Sequence, residues 1–220
     1  MKYQFIFSLL LVHQLLFGQT NPEVNLTDYI KEVQIWTKEQ NNMSHTLWLP
    51  TSYWDLALKD NPSIPKQTVT QLKNTFKDYI FLCALDVTIN SDGSFSFTSE
   101  SDLRKSLYLQ DSSGTKYYPL NSADISSDAK EFSKMLTPMF SQMLGQFGTG
   151  MYFYFFKVKD KKGNNLIDEF KTHDFNIYHS NKSFNYNLPL VALLPPKVCP
   201  IDQEEMKGNW LYCPFHGSKL

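Results

Sequence analysis

The chain has 220 residues, 42% of them hydrophobic and 15% aromatic, with a formal net charge of −1. That length carries one domain of ordinary size plus a small appendage, and the composition is that of a globular protein. The charge balance excludes a nucleic-acid footprint, which needs lysine and arginine gathered on one face. The longest basic run, "KDKKG" at 159–163, reads as the tip of a hairpin.

The first residues, "MKYQFIFSLLLVHQLLFGQ", have the pattern of a secretory signal. Lys2 is the positive start, Phe5 to Phe17 the apolar stretch, and Gly18–Gln19 the cleavage zone. The apolar run is too short to span a bilayer comfortably, no later segment reads as a membrane span, and no cysteine follows it to make a lipidation box. The expectation is a signal peptide over 1–19 and a secreted or periplasmic mature protein. Export bears on Cys83, Cys199 and Cys213, because an oxidising compartment permits one pair to close. Cys83 sits in the apolar run "YIFLCALDVTI" and reads as a small buried hydrophobe.

In chain order, apolar residues at 26, 29, 30, 33 and 36 predict a helix over 25–41, with Asn25 as its cap. "HTLWLP" (45–50) predicts a short strand, and "SYWDLALKDNPSIP" a turn or short helix. Val69, Leu72, Phe76 and Tyr79 make one stripe of a second helix over 66–79. From residue 79 the period changes to that of strands. "YIFLCALDVTIN" turns through "SDG" into "SFSFTS", and "SLYLQ" turns through "DSSG" into "TKYYPL". A third hairpin is predicted over "GMYFYFFKVKDKKGNNLIDEF", and "DFNIYHSNKSFNYNLPL" continues the strand pattern. One helix interrupts the series at 126–148, with Asp128 and Glu131 at capping-box spacing, a kink at Pro138 and an end at Gly145 or Gly148. "LPLVALLPPK" (188–197) is the natural boundary between domain and tail.

The motif Leu-x-Asp-x-x-Gly-x-x-Tyr-x-Pro, from Leu109 to Pro119, resembles hairpins of immunoglobulin-like sandwiches in exported bacterial proteins, a likeness that covers about 79–187. The expected fold class is therefore β-rich α+β. It comprises an antiparallel immunoglobulin-like β-sandwich over 20–196, with N-terminal helices and an inserted helix, and a separate tail over 197–220.

The tail, "CPIDQEEMKGNWLYCPFHGSKL", resembles a short zinc ribbon. In that family two Cys-Pro-x-Cys-Gly knuckles flank about ten residues. Here Cys199-Pro200-Ile201-Asp202 stands in the first knuckle, and Cys213-Pro214-Phe215-His216-Gly217 in the second. The resemblance implies a metal set of Cys199, Asp202, Cys213 and His216, with Asp202 and His216 where the family has cysteines, and zinc as the ion. The residue after the second ligand of a knuckle favours positive φ, which Gly217 supplies and Gln203 does not. The competing reading is a Cys199–Cys213 disulfide, closing about 15 residues and contributing on the order of 3 kcal/mol. "CPFHG" is also similar to one box of Rieske iron–sulfur proteins, but Ile201 stands where that family's first histidine would be.

Met135, Met139 and Met143 recur every four residues, a stripe suited to Cu(I) or simply to core filling beneath a helix. Surface positions are expected for His173 and His179, and turn-stabilising roles for Asp111 and Asp160. No nucleophile elbow, zinc-protease helix, phosphate loop or dinucleotide fingerprint is present. The expectation is a non-enzymatic binding or interaction protein, its partner an unidentified protein or small molecule, with a zinc-stabilised tail. Two alternatives stand beside it. One is a small exported enzyme drawing on His45, Asp86, His173 and Asp174; the other is a structural protein with a disulfide-closed tail.

Overall fold

Strand Tyr79–Ile89 organises the molecule, and its apolar run is unbroken from Tyr79 to Leu85 because both of its faces are covered there. The computed structural model describes residues 24–58 and 65–220, so the signal-like segment 1–19 lies outside the described residues.

The elements, in order, begin with α1 (Leu26–Val33), β1 (Gln34–Glu39), β2 (Asn42–Trp48), α2 (Thr51–Leu58), α3 (Lys66–Phe76) and β3 (Tyr79–Ile89). There follow β4 (Phe95–Phe97), α4 (Glu100–Ser106), β5 (Tyr108–Gln110), β6 (Lys116–Tyr117), α5 (Ser127–Leu144) and α6 (Gln146–Thr149). The chain closes with β7 (Tyr152–Lys157), β8 (His173–His179), β9 (Lys182–Leu188), β10 (Lys197–Val198) and β11 (Glu205–Met206). The result is mixed α+β with antiparallel sheets. One has the order β1-β2-β3-β4 with β7 also paired to β3; another has the order β6-β5-β8-β9; the third is the small β10-β11 pair.

The predicted helix over 25–41 is half right. Asn25 caps α1 by accepting from the N–H groups of Thr27 and Asp28, but the helix stops at Val33 and the chain continues as β1. The run from Gln34 pairs residue for residue with β2, and the ladder outweighs the weak helical preference of Ile35, Trp36 and Thr37. The third hairpin is also corrected. Its first arm is β7, which pairs with β3, while the second arm keeps only one bridge, Lys159 to Asn165. Helix α5 starts behind Ser126, whose side chain takes the capping position expected of Asp128. It continues through Pro138 without a break; Pro138 is exposed, so the carbonyl it leaves unpaired can face water.

Odd positions of β3 face the helices and even positions face the β8–β9 sheet. Phe76 of α3 lies 4.8 Å from Phe81, and Phe140 of α5 lies 5.7 Å from Phe153, in ring-centroid distance. On the other side Trp48 meets Phe175 edge-on at 5.1 Å, and the Thr46 and Tyr186 hydroxyls share a 2.7 Å hydrogen bond. Each fully buried aromatic of this kind contributes about 2–3 kcal/mol of transfer free energy. This main core is distinct from a second buried cluster of Cys199, Met206 and Cys213, on which Trp210 and Leu220 pack.

Candidate metal centre

The tail is built from two turns with the same wiring. In the first, Cys199 N–H donates to the Glu204 carbonyl at 2.9 Å and Gln203 N–H donates to the Cys199 carbonyl at 2.9 Å. In the second, Cys213 N–H donates to Ser218 at 2.8 Å and Gly217 N–H to Cys213 at 2.9 Å. A proline follows each cysteine, holding φ near its helical value and removing an N–H the turn does not use. Each turn then needs a left-handed residue: φ is 64° at Gln203 and 62° at Gly217. Gln203 thus adopts the conformation expected only of a glycine, and the first knuckle forms in spite of its sequence. Pairing of β10 with β11 closes the first turn, and a bridge from Tyr212 to Lys219 closes the second. Each knuckle is therefore its own hairpin loop.

The wiring converges three donors. Cys199 Sγ, Cys213 Sγ and a His216 ring nitrogen all lie within 4.8 Å of one another. His216 Nδ1 is 3.5 Å from Cys199 Sγ, 3.6 Å from Cys213 Sγ and 3.5 Å from Asp202 Oδ2. One Nδ1–H cannot point at three acceptors at once. Around a tetrahedral zinc, with its usual bonds to sulfur and nitrogen, the sulfur–nitrogen edge is about 3.6 Å. The observed spacings match those of ligands that could share a central ion. Asp202 approaches the imidazole, with Oδ2 3.5 Å from His216 Nδ1, but falls outside the mutually close set of Cys199, Cys213 and His216.

The electrostatics suit a cation. Burial raises the Cys199 thiol pKa, but the N–H groups of Ile201 and Asp202 and the Ser218 hydroxyl outweigh it and the net shift is downward. The Glu204 N–H, followed by the Cys199 thiol, holds the Asp202 carboxyl below its ordinary range. The three cysteines are free, with no disulfide between Cys199 and Cys213. Cys83 is buried in the main core, and burial pushes its thiol pKa up.

No family model, curated protein or solved structure matches this chain. What the tail can do is therefore argued from its donors: a Cys2His group able to hold a metal ion.

The residues named for an enzymatic site are not brought together. His45 and Asp86 are one register apart on opposite faces of their sheet, since Ser44 pairs with Asp86 and His45 with Leu85. His173 and Asp174 begin β8, at the end remote from its turn. Asp86 instead belongs to a polar cluster between the sheets that the sequence did not reveal. Lys182 donates to Asn42 and, at 2.8 Å, to Ser44, and lies 3.8 Å from Asp86. Asp86 also accepts from Ser44 and from Thr98 at 2.6 Å. Burial raises its pKa, but these hydrogen bonds and the lysine outweigh that and the net shift is downward. An open cleft of about 740 Å³, rimmed by the β1–β2 and β8–β9 turns, lies over this pair. With the lysine engaged on three sides, the cluster reads as a brace between sheets.

His179 is a correction: it is buried and stacked on Phe184 at 4.5 Å, not at the surface. Met139 is buried beside Phe132 and Phe140, which is core filling; the Met143 side chain lies outside the described atoms. Asp111 and Asp160 each accept two backbone N–H groups of their own turn at 2.8–2.9 Å, as expected. Among the described residues no helix is long and apolar enough to cross a membrane.

Proposed function

We propose that this chain is an exported, non-enzymatic binding or interaction protein whose C-terminal segment is held by a structural zinc ion. The observation that carries the metal reading is the near-equal spacing of Cys199, Cys213 and Asp202 about the His216 nitrogen. Zinc suits two thiolates and an imidazole, and Asp202, whose Oδ2 lies 3.5 Å from His216 Nδ1, is the candidate fourth ligand. The segment is small and its own buried cluster contains only three residues, so an ion would supply closure that packing does not. Export rests on the signal-like start, and periplasmic or secreted location follows from it. We read the two stacked sheets as an immunoglobulin-like sandwich over 20–196, with 197–220 as a separate unit; the edge-on contacts of Trp48 with Phe175 and Tyr186 between the sheets support this.

Native mass spectrometry of the purified chain tests the metal. Bound zinc adds about 63 Da once two protons leave, whereas a disulfide subtracts about 2 Da. A second reading, a small exported enzyme, draws on the cleft above Asp86 and Lys182. Hydrolase screening with Asp86→Asn as control separates it: activity abolished by that substitution would favour the enzyme.

A further inference from the structure

We propose, resting on the metal reading above, that the Asp202 corner of the centre is exchangeable and accepts the thiolate of a small external thiol. The four donors are not equivalent in their surroundings. Cys199 and Cys213 are 0% and 1% exposed, sealed by Met206, Trp210 and Leu220. The His216 and Asp202 side chains are 35% and 30% exposed. The residues immediately before them, Phe215 and Ile201, are 72% and 65% exposed. An ion seated among the donors would therefore show its His216–Asp202 side to solvent and its two sulfurs to the core.

Asp202 is also the loosest of the four. Its Oδ1 is occupied by the Glu204 N–H at 3.1 Å, and its Oδ2 faces the imidazole from outside the close trio. The first-knuckle wiring nevertheless places residue 202 where His216 stands in the second, so the corner is aimed at the ion. A borderline-soft ion already held by two sulfurs prefers a third sulfur to a carboxylate oxygen. With an ion held by Cys199, Cys213 and His216, an incoming thiol would lose its proton to solvent and supply the sulfur ligand, and Asp202 would be left as a free carboxylate. No electrons are transferred.

The experiment uses the full chain loaded with Co(II), whose sulfur-to-metal charge-transfer bands report the number of thiolates. Titration with N-acetylcysteine should raise the band by roughly half as sulfur ligands go from two to three. Asp202→Ala should bind the thiol several-fold more tightly. Asp202→Cys should show the raised band without added thiol and ignore further addition. A cysteine-bearing tripeptide with apolar flanks forms the second arm: affinity equal to N-acetylcysteine supports a small-thiol ligand, and a marked peptide preference overturns it. A band unmoved by thiol, or one lost because the thiol removes the ion, overturns the exchangeable corner and leaves the metal centre standing. Failure of the chain to take Co(II) at all overturns both.

Discussion

Gln203 and Gly217 hold the same left-handed backbone in successive knuckles, φ 64° and 62°, and only one of them is glycine. Nothing lies within 4 Å of where a Cβ would stand on Gly217, so a side chain there would suffer from conformation alone. The left-handed region costs an L-residue about 1–2 kcal/mol. Gly217→Ala is expected to weaken the tail by about 1 kcal/mol, and Gln203→Gly to strengthen it by a similar amount. Amide hydrogen exchange across 197–220 would measure both; equal protection in the two variants would contradict the account.

On the proposed zinc reading, removing the ion should unfold the tail without the domain, because the two buried clusters are separate. Chelation, Cys199→Ser or His216→Ala is expected to abolish bound zinc and to raise exchange at the Cys213 and Gly217 amides. The β3 amides should keep their protection. Cys83→Ala should leave the metal content unchanged, since Cys83 lies in the other cluster.

Acid should destabilise the domain well above the usual carboxylate range. Burial, with the His179 charge next, pushes His45 down to about 3, and burial pushes His179 down to about 4 against the pull of Asp86. Both groups ordinarily titrate near 6.5. Below that value the unfolded chain takes up protons that the folded chain refuses, so stability falls as pH drops from 6.5 and the loss is complete below the folded values. Asp86, held below its ordinary value, adds its own loss as pH falls through and below the ordinary carboxylate range. Urea unfolding at pH 7 and pH 5 should show the slope. His45→Phe, which retains a ring against Trp36, should flatten it.

Lys182→Met should be among the most damaging single changes in the β8–β9 hairpin. It leaves the Asp86 charge buried beside Ser44 and Thr98 with no cation, an error costing about 3–5 kcal/mol. Adding Asp86→Leu should recover part of the loss. An additive double-mutant cycle by chemical denaturation would show that the two charges are not coupled.

Much of this architecture was legible wherever the deciding interactions are local. The predicted hairpins at 79–97 and 108–117 carry both arms and their turn within a short stretch, and both form; 173–188, expected only to continue the strand pattern, folds as a hairpin too. The Cys-Pro turns announce themselves for the same reason. The change from helix to strand at Gln34 was hidden because the partner strand, not the residues themselves, decides it. Helix α4 went unnoticed although Ser99 and Asp102 have capping spacing, and the Ser99 side chain does accept the Asp102 N–H.

From residue order alone came the class of donor in the tail and its two Cys-Pro turns, because those depend on neighbours within five positions; that Gln203 takes the same left-handed backbone as Gly217 did not. Only the folded chain decided that Cys199, Cys213 and His216 meet while Asp202 stands aside, and that Lys182 reaches across to Asp86. Such meetings join residues many positions apart, and packing between elements brings them to one place.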